Sequence, residues 1–480
     1  MFGSTPEPSL LHRSLAYQPH RVVSASGHYL FLEDGRSILD ACGGAAVAII
    51  GHGNKEVIAA TVRQMSLVSY VHTGAYTTDS AENLATCILE HQGAAERSPY
   101  RHDLAKAFFV GSGSEANDAA MKCARQYWFE KNETQRRIFV ARKQGYHGNT
   151  FGAMSVSSVI GRKVPYEQIL LPNVSFVGPA DHYHGARDAE TEEEYVTRLY
   201  EDIEQEFLRL GPENIISFIG ETVSGATLGA MASPKGYWPS VRTLCDKYGI
   251  LLHLDEVMCG TGRTGTFFAF EQEDIQPDIV TIGKGLGGGY APIAGMLINR
   301  KIVDALKEGS SAFNHGQTYQ AHPTSCATAL AVQQIIKRDR LVNRCAVQGQ
   351  KLGRRLQDTF KECKHIGDIR GRGLFWCLEF VENATTKRPF PPQMAFGSTL
   401  QLAAFDLGVA LYPGVGTVDG LEGDHILIAP PYTVTDAELD VIVSTLKKAY
   451  DNTVKRLVGC SSIRSAPMIY KHSVFGESPL

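Results

Sequence analysis

A single lysine stands among glycines in residues 282–290, Ile-Gly-Lys-Gly-Leu-Gly-Gly-Gly-Tyr. A lysine amine forms a Schiff base with a carbonyl group, and burial together with nearby positive charge lowers its pKa toward reactivity. The surrounding glycines would let the backbone approach a bulky ring. Taken alone, Lys284 is equally compatible with a phosphate-binding lysine in a flexible loop. The segment therefore predicts either a covalent or an electrostatic role for this lysine.

Two adjacent carboxylates, Asp255 and Glu256, end an apolar run that begins at Ile250. The run predicts a buried strand, and ligands of open α/β sheets bind at the carboxyl ends of the strands. A carboxylate at that edge can pair with a protonated ring nitrogen. For an isolated Asp-Glu pair, a loop cap or a surface salt bridge is the simpler interpretation. The pair indicates a ligand site only in combination with other residues.

A third segment, Phe108–Asn117, leads from a predicted strand through a glycine turn into a predicted helix. Free backbone N–H groups and the positive end of the helix dipole favour an anion such as phosphate there. The spacing of Gly111, Gly113 and Ala116 also matches a dinucleotide fingerprint. Because that spacing recurs twice elsewhere in a chain with 47 glycines, the match discriminates little. The segment predicts a phosphate site, with a dinucleotide site as the weaker alternative.

The three segments belong to a region in which apolar runs alternate with helical patterns. Such runs are typical of a mostly parallel sheet with crossover helices. The runs cover residues 107–110, 138–141, 215–219, 250–254 and 279–282. Past residue 340, short strands are predicted over Cys377–Val381 and His425–Ala429, followed by a final helix that begins with the capping box Thr435-x-x-Glu438. The pattern predicts an α/β protein.

Composition narrows the class of partner. The 480 residues are 43% hydrophobic and 20% charged with a net charge of −4, which is typical of a globular protein with two or three compact units and offers no basic field for nucleic acid or a membrane surface. Ten singly spread cysteines indicate reduced thiols. The N-terminus lacks signal-peptide features, and no run is long enough to span a bilayer. We expect a cytoplasmic protein that acts on small molecules.

A metal site is not expected. His182 and His184 lack a neighbouring carboxylate or thiol cluster, so they predict a surface loop instead.

The order of the segments resembles that of the fold-type-I class III aminotransferases, also called ω-aminotransferases: a phosphate site at a helix terminus, a strand-end aspartate, then Gly-Lys-Gly. The resemblance extends from about residue 20 to residue 457. The motifs that carry it are Gly113–Asn117, Gly145–Gly148, Asp255–Gly265, Pro277–Gly285, His315–Tyr319 and Ala429–Pro431. It implies a large domain, with a mostly parallel mixed sheet flanked by helices, and a smaller α+β domain built from the N- and C-terminal parts.

The resemblance also implies boundaries, a cofactor and an assembly. Residues 1–65 would join the small domain, 66–325 would form the large domain that binds pyridoxal 5'-phosphate, 326–458 would form the small domain, and 459–480 would be a tail. Homodimers with active sites at the subunit interface are expected. The reaction would transfer an amino group from an amine to a keto acid such as pyruvate with ping-pong kinetics.

Each matching residue then has an implied role. Lys284 would carry the cofactor as a Schiff base and shuttle a proton, while Asp255 would pair with the pyridine nitrogen. The other implied cofactor contacts are Gly113 and Ser114 at the phosphate, Thr318 from the neighbouring subunit, and Tyr146, His147, Glu221 and Val257 around the ring.

The chain departs from the family pattern at Leu427, where many members carry an arginine three residues before the Pro-Pro pair. Such an arginine can hold a substrate carboxylate in a bidentate pair. No arginine occurs between Arg388 and Arg456. We therefore expect an ω-amino acid, a primary amine or a long-chain amino compound as donor. Tyr76 is a second predicted substrate residue, although a core or dimer-interface role fits it equally well.

Three other functions are compatible with part of these observations. An aminomutase or a decarboxylase on the same scaffold would use the same lysine. A nicotinamide-dependent dehydrogenase would use the glycine fingerprint, but it leaves Asp255 and Lys284 without a role. A non-catalytic scaffold protein would not need Lys284, Asp255, Ser114 and Thr318 together. An aminotransferase is the preferred hypothesis.

Overall fold

The computed structural model of the protein describes residues 9–90 and 102–458. The strands are β1 (Val22–Ser26), β2 (Tyr29–Leu32), β3 (Ser37–Asp40), β4 (Leu104–Val110), β5 (Ile138–Arg142), β6 (Val174–Val177), β7 (Ile215–Glu221), β8 (Val223–Ser224), β9 (Met231–Ala232), β10 (Leu251–Asp255), β11 (Ile279–Ile282), β12 (Ala294–Asn299), β13 (Ile366–Arg372), β14 (Phe375–Phe380), β15 (Val409–Ala410), β16 (Tyr412–Val415) and β17 (Asp424–Ile428).

The helices are α1 (Gly43–Ala46), α2 (Lys55–Leu67), α3 (Asp79–Leu89), α4 (Gly113–Glu130), α5 (Phe151–Val156), α6 (Ile160–Lys163), α7 (His182–Gly185), α8 (Glu192–Leu210), α9 (Tyr237–Tyr248), α10 (Arg300–Glu308), α11 (Pro323–Arg338), α12 (Leu341–Phe360), α13 (Phe396–Asp406) and α14 (Asp436–Leu457). The tail predicted over 459–480 lies outside the described residues.

A seven-stranded sheet with the order β4-β12-β11-β10-β7-β5-β6 forms the centre of the molecule. Its strands are parallel except β12, which runs antiparallel to both β11 and β4. Strands β7, β10 and β11 are buried at every residue, as expected of strands covered on both faces. The mixed, mostly parallel sheet predicted from the apolar runs is confirmed.

Side chains of the central strands alternate between two helical layers. Leu252 and Leu254 pack in a core cluster with residues of α8 and α9, whereas Leu251 packs in the cluster of the opposite face with residues of α4 and α10. This alternation follows from the two-residue period of a strand. It places Asp255, in phase with Leu251, on the face covered by α4, and directs Glu256 to the other face.

The N- and C-terminal parts of the described chain share a sheet and a core. Strand β15 joins β1, β2 and β3 by pairing parallel to β3, and a separate antiparallel sheet has the order β13-β14-β17-β16. Leu39 from β3 packs in one cluster with Ile426 from β17 and with residues of α12 to α14. The predicted capping box at the start of α14 is present. This arrangement agrees with a small domain built from both ends, whose boundaries stay a prediction.

The pair His182 and His184, predicted to lie in a surface loop, belongs instead to the short helix α7. The Asp181 carboxylate accepts hydrogen bonds from the backbone N–H groups of Tyr183 and His184, which caps this turn. His184 Nε2 lies 2.5 Å from Oε1 of the buried Glu379. The histidine therefore connects α7 to β14. Within the described residues, none of the helices combines the length and apolar character that a membrane span requires.

Candidate active site

Three neighbouring strands deliver functional side chains to one edge of the central sheet. Glu221 at the end of β7 is paired in register with Asp255 at the end of β10, and Asp255 is paired with Thr281 of β11. Lys284 follows β11 after one glycine. Because the carboxyl ends of parallel strands meet at the same edge, Glu221, Asp255 and Lys284 line one cavity of about 310 Å³.

Asp255 is a buried group of this cavity that accepts three hydrogen bonds. Its Oδ2 accepts from Asn117 Nδ2 at 2.9 Å and from His147 Nδ1 at 2.8 Å, and its Oδ1 accepts from the Val257 N–H at 3.0 Å. Burial alone would raise the pKa of Asp255, but the hydrogen bond from His147 and that from Val257 outweigh it and hold the pKa below its ordinary value. The carboxylate is therefore ionised although it is buried.

Asn117 ties the first turns of α4 to the sheet. Its Nδ2 also donates to the His147 carbonyl at 2.6 Å, and its Oδ1 accepts from the Thr281 hydroxyl at 2.8 Å. One buried amide thus fixes Asp255, His147 and Thr281 at once. Because an ionised carboxylate only accepts hydrogen bonds, His147 carries a proton on Nδ1 and donates it to Asp255. The buried Nε2 atom of His147 has no hydrogen-bond partner among the described residues.

Glu221 lies beside Asp255 in a different environment. Its Oε1 accepts from the Tyr146 N–H at 3.1 Å, and its Oε2 accepts from the Gly225 N–H at 2.7 Å. Burial raises the pKa of Glu221, and the negative charge of Asp255 raises it further. His147 acts in the opposite direction and does not outweigh them. Two carboxylates at adjacent strand ends are therefore driven to opposite pKa shifts.

Lys284 begins a short 3₁₀ turn over Lys284–Leu286, and its backbone φ of +43° lies in the left-handed region that few non-glycine residues adopt. Burial lowers the pKa of its amine to about 8, while the negative charges of Glu221 and Asp255 oppose part of that shift. At pH 7 roughly a tenth of the amine is therefore neutral, and so nucleophilic, which is far more than at its ordinary pKa of 10.5.

The opposite end of the cavity is formed by the start of α4. Ser112 caps this helix, and Ser114 Oγ donates to Asn149 Oδ1 at 2.8 Å. A Cβ atom on Gly113 would lie 2.8 Å from Val257 Cγ1, so only glycine permits this approach. The N-terminus of an 18-residue helix thus faces the same space as Lys284, and it favours an anion there.

Comparisons with known proteins agree with this geometry. The profile of the family "Aminotransferase class-III" matches residues 13–450. An uncharacterized aminotransferase of Schizosaccharomyces pombe is 46% identical over 448 residues, which cover 93% of this chain and 96% of that protein. An aminotransferase of Gibberella zeae is 42% identical over 443 residues, which cover 92% and 85%. This chain belongs to the class III aminotransferase family.

A solved structure extends the likeness of this aminotransferase to the fold. The omega transaminase of Pseudomonas jessenii in complex with PMP superposes with a TM-score of 0.84 at 31% identity, covering 92% of this chain and 94% of that one. The family uses pyridoxal 5'-phosphate, so the protein is a pyridoxal-phosphate-dependent aminotransferase of fold type I. The fold class, enzyme class and cofactor predicted from the sequence are confirmed.

The residues of the cavity fit that cofactor. Asp255 receives three hydrogen bonds, and an ionised carboxylate has about four acceptor positions, so one remains for a protonated ring nitrogen. The start of α4 can bind a phosphate group. A cavity of about 310 Å³ is also of the size that cofactor sites have.

The structure brings eight of the predicted site residues together and leaves three apart. Those that line the cavity are Gly113, Ser114, Tyr146, His147, Glu221, Asp255, Val257 and Lys284. Thr318 and Tyr76 are exposed and are not among the residues lining the cavity of their own chain. Leu427 is 1% exposed and packs in a core cluster with Val223 and Phe375. Leu427 therefore does not line the cavity itself, but it is the register partner of Tyr412 and packs in one cluster with Ala226 and Met258, which do line it.

Sequence reasoning missed several residues of the cavity wall. Arg162 of α6 and Tyr412 of β16 line the cavity, as do the apolar residues Val47, Ala226 and Met258. Met258 lies within a family motif, but Arg162 and Tyr412 lie in segments without helical or strand periodicity that would predict the direction of their side chains. The only local signal was an arginine beside a lysine at residues 162 and 163.

Proposed function

We propose that this aminotransferase moves an amino group from a primary amine or an ω-amino compound to a keto acid such as pyruvate in a ping-pong reaction. The observation that carries the proposal is the position of two groups on one cavity. Lys284 has an amine with a lowered pKa, and Asp255 is a buried carboxylate held ionised. These are the two groups that transamination with this cofactor requires.

The proposed roles of the residues follow from their contacts. Bound pyridoxal phosphate supplies an electron sink for the carbanion formed when a C–H bond of the substrate is broken. Asp255 would hold a proton on the ring nitrogen, since its own pKa is low and its remaining acceptor position is available. Lys284 would hold the cofactor covalently between turnovers and, once displaced, move a proton between two carbon atoms, which is worth about 10²–10⁴-fold in rate.

The surrounding residues would orient the cofactor. Gly113 and Ser114 would bind the phosphate at the start of α4, and Val257 would pack against one face of the ring. Tyr146 would stack on the other face, with Glu221 holding its backbone through the Tyr146 N–H. His147 would act through Asp255, because its Nδ1 is committed to that carboxylate.

The proposed class of donor rests on the apolar and charged side chains that line the cavity. Val47, Ala226 and Met258 give it apolar surface. The C-terminal strand β17 contributes no arginine, because the apolar Leu427 stands beside Tyr412 there and no arginine occurs between Arg388 and Arg456. A donor whose α-carboxylate is clamped from β17 is therefore not expected.

We also propose that the protein acts as a homodimer in which Thr318 reaches the cofactor phosphate of the partner. Thr318 is exposed, and next to it the exposed Tyr319 ring contacts the Tyr70 ring at 6.0 Å between centroids. Exposed apolar side chains continue along α2, including Val62 and Met65. Large apolar side chains left exposed on neighbouring segments are a feature that subunit interfaces often have. Tyr76 would line the pocket from that interface.

The test uses the purified wild-type protein, Lys284→Ala and, as a matched control, Lys247→Ala, whose lysine pairs with Glu204 outside the cavity. Visible absorption is recorded after addition of pyridoxal phosphate, and a panel of amines is then supplied with pyruvate. After unbound cofactor is removed and before amine is added, wild type and Lys247→Ala are expected to show a Schiff-base band, which some amine then bleaches and pyruvate restores. Lys284→Ala is expected to show no Schiff-base band before the amine is added and no turnover after it. An absorption band without any pyruvate-dependent turnover would refute the proposed transamination of amines.

A further inference from the structure

A ping-pong aminotransferase binds its keto acid in the cavity that the amine has left, so the carboxylate of the keto acid needs a partner there. A carboxylate placed in a partly buried site without a cation loses most of its solvation energy. Three side chains that line the cavity can carry positive charge in the part of the chain that the structure describes: Lys284, His147 and Arg162. Lys284 is the reacting amine, and His147 is hydrogen-bonded to Asp255. Arg162 remains.

Arg162 is held at the cavity by aromatic residues from two parts of the fold. Its guanidinium carbon lies 4.8 Å from the centroid of the Tyr146 ring, and its side chain is hydrogen-bonded to Tyr412 of β16. Tyr146 follows β5 in the large sheet region, whereas β16 belongs to the C-terminal antiparallel sheet. Stacking on an aromatic face orients a guanidinium and leaves its N–H donors at the edge of the plane.

The charge of Arg162 extends into the reacting part of the cavity. It acts on the pKa of Lys284 by lowering it, in the same direction as burial, which is the larger cause. Burial raises the pKa of Tyr412, while Arg162 and the exposed Arg13 of the N-terminal segment oppose that shift. The Tyr412 hydroxyl therefore stays protonated and lies in the field of two arginines.

We propose that Arg162 binds the carboxylate of the keto-acid acceptor, and that of any carboxylate-bearing donor, with the Tyr412 hydroxyl as a second hydrogen-bond donor to the same group. This inference rests on the proposed transamination and names its acceptor class. A guanidinium has five N–H donors in one plane, which suits both Tyr412 and a carboxylate. The cation comes from α6, whereas β17 offers only the apolar Leu427, the register partner of Tyr412. Neutral amines would lie against the apolar wall and leave Arg162 to the acceptor.

The first test compares two acceptors of equal chain length, pyruvate and propanal, with one neutral amine donor in wild type, Arg162→Met, Arg162→Lys and Tyr412→Phe. For Arg162→Met we expect kcat/KM with pyruvate to fall by about 30-fold or more, since a charge-assisted contact is lost. With propanal the change should stay within about threefold. Arg162→Lys should recover part of the loss, and Tyr412→Phe should lose about three- to tenfold with pyruvate only.

The matched control is Arg198→Met, since Arg198 also stacks on a tyrosine, with its guanidinium carbon 5.0 Å from the Tyr195 ring centroid, but lies outside the cavity. The Arg198→Met substitution should leave kcat/KM unchanged with both pyruvate and propanal. An equal loss with pyruvate and propanal in Arg162→Met would mean that Arg162 only supports Tyr146, and it would overturn the inference. Unchanged kinetics with pyruvate would overturn it as well.

A second readout does not depend on turnover. Propanoate carries the carboxylate but no reacting carbonyl, and its binding to the cofactor-loaded protein is measured by titration calorimetry. The dissociation constant should rise at least about tenfold in Arg162→Met and stay unchanged in Arg198→Met. If no amine is turned over by wild type, the proposed function fails, yet selective loss of propanoate binding would still support the role of Arg162. Equal propanoate binding by wild type and Arg162→Met would refute that role.

Discussion

The two sides of the cavity are built by different means. Its floor, formed by Glu221, Asp255 and Lys284, comes from three adjacent strand ends, and both carboxylates there are buried and receive several hydrogen bonds. Its outer wall, formed by Arg162 and Tyr412, comes from a four-residue helix and a short strand of another sheet, and both side chains are half-buried. The floor is fixed by the sheet, while the wall depends on how two parts of the fold meet.

This difference separates chemistry from selection. Groups at the ends of buried strands have few alternative positions, so they can hold a cofactor in one orientation for every substrate. Groups on loops and short elements tolerate change, so they suit the choice of substrate. Substitutions in the floor are therefore expected to affect all substrates equally, and substitutions in the wall are expected to change the ratio between substrates.

The largest effect is expected for Asp255→Asn, which keeps the shape of the floor and removes its charge. Loss of one partner of a buried charge pair costs about 3–5 kcal/mol, which corresponds to roughly 10²–10³-fold or more in rate. We expect kcat/KM to fall to this extent with pyruvate and propanal alike. Because Asp255 also accepts hydrogen bonds from Asn117 and His147, thermal unfolding of the cofactor-free protein is measured as well, to separate lost folding from lost catalysis. A loss confined to one acceptor would show that Asp255 selects substrate and would remove the distinction between floor and wall.

Leu427→Arg tests whether the wall includes β17. Because Leu427 is 1% exposed and packs with Val223 and Phe375, the substitution buries an unpaired charge. Urea unfolding should show a loss of more than about 3 kcal/mol, whereas Leu427→Met should lose less than about 1.5 kcal/mol. A Leu427→Arg protein of wild-type stability with a new preference for α-amino acids would place this side chain in the wall after all.

Gly113→Ala tests the fit at the phosphate end of the cavity, opposite the floor. The added Cβ would lie 2.8 Å from Val257 Cγ1, so α4 or Val257 must shift. We expect the dissociation constant for pyridoxal phosphate, followed by absorbance, to rise by about tenfold, equivalent to about 1.4 kcal/mol. Gly178→Ala is the matched control, since its Cβ would meet nothing within 4 Å. Equal effects of both substitutions would argue against a steric role for the Gly113 contact.

The smallest effect is expected for the pH dependence of the rate at which Lys284 binds pyridoxal phosphate covalently. A lysine attacks a carbonyl as the neutral amine, so the rate of pyridoxal phosphate capture should rise with pH and level off above the pKa of Lys284, near 8 instead of its ordinary 10.5. The charge of Glu221 raises that pKa, so Glu221→Gln should move the midpoint to lower pH. Rapid-mixing absorbance between pH 6 and 10 measures both, and a midpoint unmoved by Glu221→Gln would show that its charge does not reach the amine.

The strands that form the floor were predictable because buried parallel strands leave continuous apolar runs. The runs at 215–219, 250–254 and 279–282 match β7, β10 and β11 closely. Their order in the sheet was not predictable from those runs. The register that sets Glu221 opposite Asp255 is a long-range pairing, and local pattern carries no information about it.

The Asp255-Glu256 pair shows what the local sequence pattern could not predict, namely which of the two carboxylates lines the cavity. Both carboxylates end the same run, but the alternation of the strand directs Glu256 to the face away from α4. There it accepts from the Thr222 hydroxyl and from the backbone N–H groups of Ala269 and Phe270, and burial raises its pKa to about 8. One carboxylate lines the cavity and its neighbour ties the core together. Only knowledge of which face carries the cavity separates them.

The sequence by itself determined the fold class, the family and the members of the floor. Motifs at strand ends and helix starts consist of residues that are close together in the chain, so they can be recognised without knowing the tertiary structure. The tertiary structure alone decided the wall. It buried Leu427 beside Tyr412 and brought Arg162 to Tyr412 across a long stretch of chain. Such contacts arise from strand pairing and from the packing of a short helix on a distant strand, and no local periodicity predicts which side chains will meet there.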